Sequence, residues 1–71
     1  MNLADKIKEM ADEGVSITFE PWMTQMRVTL EITTGGLRHR QTHVVHRDHY
    51  VSEDRLVSLI NWQEEQLLKM I

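Results

Sequence analysis

Met26-Arg27-Val28-Thr29-Leu30-Glu31-Ile32-Thr33-Thr34-Gly35-Gly36 decides the fold of this 71-residue chain. From Met26 to Thr33, apolar and polar residues alternate without a break, the period-two pattern of a strand with one buried face. Gly35-Gly36 follows at once, and glycines supply the positive φ angles that a two-residue hairpin turn needs. A strand that feeds such a turn predicts a partner strand directly behind it, from about Leu37 to His46.

Upstream, Val15, Ile17 and Phe19 alternate with Ser16, Thr18 and Glu20, which predicts another half-buried strand. Pro21 cannot donate to a ladder, so this strand ends there or lies at an edge. Residues Trp22 to Gln25 are expected to form the connecting turn. The strand Leu37–His46 is polar on both sides, and its register depends on the loop before it. A two-residue loop sets Glu31 opposite Arg40 and turns His39, Gln41, His43 and Val45 toward the apolar side. A three-residue loop turns Arg40, Thr42, Val44 and His46 that way instead. Neither register gives a clean apolar face, so one side of this strand is expected at an exposed sheet edge.

Helices bracket the strands. Over residues 3–13, Leu3, Ala4, Ile7, Met10 and Ala11 fall in one arc of about 120°, with Asp5, Glu9, Asp12 and Glu13 opposite. Asn2 can cap the start and Gly14 can end it. Ser52 caps a second helix that runs to the terminus, with Glu53 and Asp54 at its positive end. Its Leu56, Val57, Leu59, Ile60, Leu67, Leu68, Met70 and Ile71 cover an arc of about 180°. The expected fold class is α+β: an N-terminal helix, a three-stranded antiparallel β-meander and a C-terminal helix packed on the sheet, in one domain spanning residues 1–71.

Composition narrows the function. There is no cysteine, which excludes disulfides, thiolate nucleophiles and thiolate metal ligands. The net charge of −3 is too small for binding nucleic acid by bulk charge, so direct nucleic-acid binding is not expected. No apolar run is long enough to span a membrane. Met1-Asn2-Leu3-Ala4-Asp5 lacks the basic and apolar segments of a signal peptide. Cytoplasmic placement is the expectation.

Nor is a catalytic site expected. Gly35-Gly36 lies between strands and opens no helix, so it is not a phosphate loop. The carboxylates fall on predicted solvent faces, where nothing would raise a pKa for acid–base work. His39, His43, His46 and His49 are close in sequence. However, His39 and His43 on one strand face would stand about 13 Å apart, beyond a shared zinc. No metal and no cofactor are expected.

Binding surfaces are therefore the candidates. Trp62 projects among Arg55, Ser58, Glu65 and Lys69, outside the apolar arc of its helix, as an interface anchor would. Trp22 is a second aromatic, beside Pro21 and Met23; it could serve recognition or fold back into the core. Arg38, Arg40 and Arg47 form a basic band suited to an acidic partner. Asp5, Glu9 and Glu13 repeat every four residues along the first helix, as a ridge of carboxylates about 6 Å apart. Leu59, Leu67, Met70 and Ile71 exceed the apolar surface that a small sheet can cover, which predicts a homodimer through the second helix.

The order helix, three-stranded meander, helix, on a cysteine-free acidic chain opening Met1-Asn2 with Asp5, Ile7, Glu9 and Thr24-Gln25, resembles small phage-encoded proteins. Among these are anti-CRISPR proteins that inhibit Cas9. The resemblance covers element order over most of the chain. This third strand is basic where such inhibitors carry acidic loops, so no functional residue carries over. What it implies is a stoichiometric inhibitor of a host defence or nucleic-acid-processing enzyme, acting in a bacterial cytoplasm. The alternative is a phage assembly subunit that self-associates through its C-terminal helix.

Overall fold

Gly35 and Gly36 adopt φ of 58° and 81°, the paired left-handed conformations of a type I′ turn. The turn sets Thr34 opposite Leu37 and carries an unbroken antiparallel register to Gln25 opposite His46. The two-residue loop is thus the one formed, with Glu31 opposite Arg40. It joins β2 (Gln25–Thr34) to β3 (Leu37–His46), and β1 (Val15–Trp22) completes a sheet of order β1-β2-β3. The computed structural model describes residues 2–50 and 52–71, excluding the side chains of His49 and Tyr50.

The β1–β2 connection is tighter than the sequence suggests. Trp22 and Gln25 are not loop residues but a strand pair, leaving only Met23 and Thr24 to turn the chain. Met23 manages this at φ 55°, a conformation that costs an L-residue roughly 1–2 kcal/mol. Met23→Gly removes that strain at an entropic cost of about 0.5–1 kcal/mol. It is therefore expected to raise the melting temperature by about 2–6 °C. A lower midpoint in differential scanning calorimetry would show that the Met23 side chain supports the turn.

Both helices cover one sheet face. α1 (Leu3–Asp12) is capped by Asn2, whose Oδ1 accepts from the Asp5 amide at 2.8 Å, and it lies against β1. After β3, the four-residue α2 (Arg47–Tyr50) has no sequence signature of its own, and the Arg47 amide donates to the Thr24 carbonyl at 2.8 Å. α3 (Glu53–Lys69), capped by Ser52, crosses β3 and β2 and also meets α1. Met10, Val28, Leu30, Ile60 and Leu67 are fully buried between these layers.

Two helix faces differ from the sequence reading. α3 buries Leu56, Val57, Ile60, Gln63 and Leu67, a narrower stripe than the apolar arc, with a polar residue inside it. Leu68, Met70 and Ile71 are left exposed beyond it. α1 buries Lys6 rather than Ala4 or Ala11. The reason is α3: it packs on that flank and presents Glu64 to the ammonium.

Candidate binding surfaces

Among the described residues, no helix covers the second sheet face. Its residues follow from the register: β1 contributes Ser16, Thr18, Glu20 and Trp22, β2 the odd-numbered positions, and β3 the even-numbered ones. The middle is polar and self-paired. Thr29 and Thr42 hydroxyls stand 3.4 Å apart, and Glu20 is 3.9 Å from Arg27. Glu31 forms an ion pair with Arg38, whose Nε stands 3.0 Å from Oε1, and accepts from Arg40 Nη2 at 3.0 Å. Arg38 and Arg40 of the basic band are therefore turned back onto their own sheet, while Arg47 stands exposed on α2.

The corner at the β1–β2 turn is different. Trp22 is 66% exposed and Met23 87%, and Val44 of β3 is exposed beside them. Glu20, Pro21, Trp22, Gln25, Arg27 and Val44 line a concavity of about 280 Å³ there. Trp22 does not fold back into the core. Strand alternation sends it to the open face, in a row with Gln25 and His46. Val44 had no place among the sequence candidates, because its face depended on the register of β3.

Trp62 remains 43% exposed on an unbroken helix, its ring edge-on to His43 with centroids 5.4 Å apart. The helix does not kink to bury it; β3 meets it instead. His39 and His43 are half-buried on the helix-facing side. His46 lies on the open side, where its Nδ1 accepts from the Asp48 amide at 3.3 Å. The His49 side chain lies outside the described residues.

The acidic ridge is only partly a solvated face. Lys6 Nζ donates to Glu64 Oε1 at 2.9 Å and reaches Glu9 Oε1 at 3.4 Å. Burial disfavours the Lys6 charge, but contacts with Glu64 and then Glu9 outweigh it and raise its pKa. Glu64 repels Glu13 and holds that carboxyl above its ordinary 4.5. This corrects the expectation that no carboxylate here would have a raised pKa. Its cause is Glu64, a half-buried acid on the α1-facing side of α3 whose Oε2 has no partner among the described residues. Asp5 stays exposed.

Of the residues expected to dimerise, Leu67 is unavailable, being fully buried in the domain's own core. Leu59 packs on that core from its edge, and Met70 and Ile71 are exposed at the end of α3. Inside the stripe, Gln63 Nε2 bridges the Val28 carbonyl at 2.9 Å and Gln41 Oε1 at 3.0 Å. Its spacing from Leu56, Ile60 and Leu67 was the only sign of burial.

Charge divides by layer. Residues 1–14 and 52–71 hold eight acidic residues against four Lys/Arg, a balance of −4. Residues 15–51 hold three acidic residues against four arginines, a balance of +1. Comparison with known proteins gives no matching family model, no matching curated protein and no matching solved structure. No helix among the described residues is long and apolar enough to cross a membrane.

Proposed function

We propose that this domain works without catalysis, by binding a protein partner through the open sheet face, with the Trp22 corner as anchor. The observation that carries this reading is that exposed Trp22 and Val44 line one concavity, with exposed Met23 at the adjoining turn. Aromatic and methionine side chains are enriched at interface cores, while charged groups belong to the rim. Here Glu20 and Arg27 supply that rim. Met23 holds the corner in a strained turn, and such strain concentrates at functional sites. Arg38 and Arg40, on the same face, are secondary contacts in this reading, whereas Trp62 on α3 and Asp5, Glu9 and Glu13 at α1 belong to the opposite layer.

The order of elements supports assigning the domain to the class of phage-encoded stoichiometric inhibitors, with a host defence or nucleic-acid-processing enzyme as target. Affinity capture from bacterial lysate with mass-spectrometric identification tests this. Trp22→Ala is expected to weaken the captured complex by at least about 2 kcal/mol, roughly thirtyfold. Trp62→Ala serves as the comparison. If binding survives Trp22→Ala and falls with Trp62→Ala, the contact belongs to the opposite side of the sheet. If neither matters, the aromatic-anchor reading fails.

A second reading, a self-associating assembly subunit, draws on the exposed Leu68, Met70 and Ile71. It requires that Ile71→Glu dissolve an oligomer detectable by sedimentation equilibrium.

A further inference from the structure

The sheet has two edges, and they are not alike. A two-residue turn is closed by a hydrogen-bonded pair, and hydrogen-bonded and open pairs then alternate along the ladder. Trp22–Gln25 closes the first turn, so the even positions of β1 bond to β2 and the odd positions face the free edge. Pro21 is therefore on the free edge, where its missing amide takes one donor from the end of that edge. β1 is blunted.

β3 is not. Thr34–Leu37 closes the second turn, so His39, Gln41, His43 and Val45 bond to β2. Arg38, Arg40, Thr42 and Val44 then point their N–H and C=O groups outward, and no backbone partner reaches them among the described residues. The strand runs ten residues in unbroken register, without proline. Charged side chains usually guard such an edge. Here Arg38 and Arg40 are bound to Glu31 on the neighbouring strand instead.

We propose that the free edge of β3 pairs antiparallel with β3 of a second copy, joining two sheets into one of six strands. The charge pattern selects a copy of the same chain. Both arginines lie in the first half of β3, and Val44, Val45 and His46 occupy the second. A two-fold axis through Thr42 uses most of the strand and sets Arg40 opposite Val44 and Arg38 opposite His46. No arginine meets an arginine, and a threonine pair lies on the axis. On the helix side, His43 and the half-exposed Trp62 stand one residue from that axis. Their partly exposed surface is covered by the same pairing. Trp22 and Met23 lie at the β1–β2 turn, away from this edge, so Trp22→Ala tests the partner reading separately, although Val44 belongs to both surfaces.

Two substitutions test it. Thr42→Pro removes an amide that faces the edge and leaves the β2–β3 ladder complete. Thr42→Lys, at an exposed position, sets two ammonium groups against each other on the axis. The wild-type protein is expected to sediment at twice 8.4 kDa at high micromolar concentration. The amides of Arg40, Thr42 and Val44 are expected to gain protection from hydrogen exchange as concentration rises. Each variant is expected to weaken the dimer at least about tenfold while keeping the far-ultraviolet circular dichroism of the wild type. If Thr42→Pro fails to fold, Thr42→Lys carries the test. A wild-type monomer at every concentration overturns the proposal. So does a dimer that survives Thr42→Lys, or one that Ile71→Glu dissolves and Thr42→Lys does not.

Discussion

Lys6→Ala is expected to destabilise the domain by about 3 kcal/mol. The Lys6 side chain is 3% exposed and its ammonium contacts Glu64 and Glu9, with Glu13 coupled to the same group through Glu64. Removing it leaves a half-buried Glu64 facing other carboxylates with no cation between them. The cost is that of an uncompensated charge, which exceeds the net worth of the pair itself. The double variant Lys6→Met/Glu64→Leu is accordingly expected to recover most of the loss, because two apolar groups of similar volume carry no desolvation cost. Urea denaturation of the three proteins measures this. A single-variant loss below about 1 kcal/mol would place Lys6 among ordinary surface pairs.

The same cluster gives a pH dependence of definite sign. Lys6 has a raised pKa in the folded state, so its contribution is complete below about 10.5 and is lost as pH rises through the folded value. Glu13 also has a raised pKa, and for an acid that means the folded protein takes up its proton first. Its repulsion from Glu64 therefore appears as pH rises through the window just above 4.5. Stability is expected to decline slightly through that window in the Glu13 term, and Glu13→Gln should abolish the decline.

Ile60→Ala is expected to cost about 3–4 kcal/mol. Ile60 is fully buried in α3 against the sheet, in the middle of the Leu56–Leu67 stripe. For 71 residues, total stability at about 0.05–0.15 kcal/mol per residue comes to roughly 4–11 kcal/mol. One methyl-rich side chain thus accounts for a large share, and the variant should be partly unfolded at 37 °C. Trp62, two residues further along the same helix, gives the contrast. Its loss removes one edge-on aromatic contact, worth about 0.5–1.5 kcal/mol, and a partly exposed surface. Thermal melts of the two variants should differ by many degrees. Equal melting temperatures would mean that Trp62 belongs to the core as fully as Ile60.

The sheet was legible because its determinants are local. Alternation fixed the faces of β1 and β2, and Gly35-Gly36 fixed the turn. The register of β3 stayed open between two loops, since its side chains are polar on either face and burial could not choose between them. Met23-Thr24 hid the second hairpin, because the positive φ it needs was supplied by a residue that rarely takes it. Trp22 was consequently placed in a loop and its face left unassigned. Lys6 and Gln63 were illegible for another reason. Their burial depends on what α3 brings to α1 and what β2 and β3 offer α3, contacts between residues far apart in the chain. The Trp22 corner inherits both difficulties. Trp22 and Val44 come together only across the paired strands, in a register that sequence alone left undecided.

The distance along the chain that the Lys6–Glu64 pair closes has a kinetic consequence. The meander is assembled from neighbours, each strand hydrogen-bonded to the next across a two-residue turn, and such contacts form early. Lys6 and Glu64 are separated by 58 positions, so their contact carries a high loop-closure cost and is expected to form late. A contact absent from the transition state slows only the reverse reaction. The ion pair between the two helices thus acts as a latch on an already built sheet, and its loss in Lys6→Ala should speed unfolding while leaving the refolding rate nearly as it was.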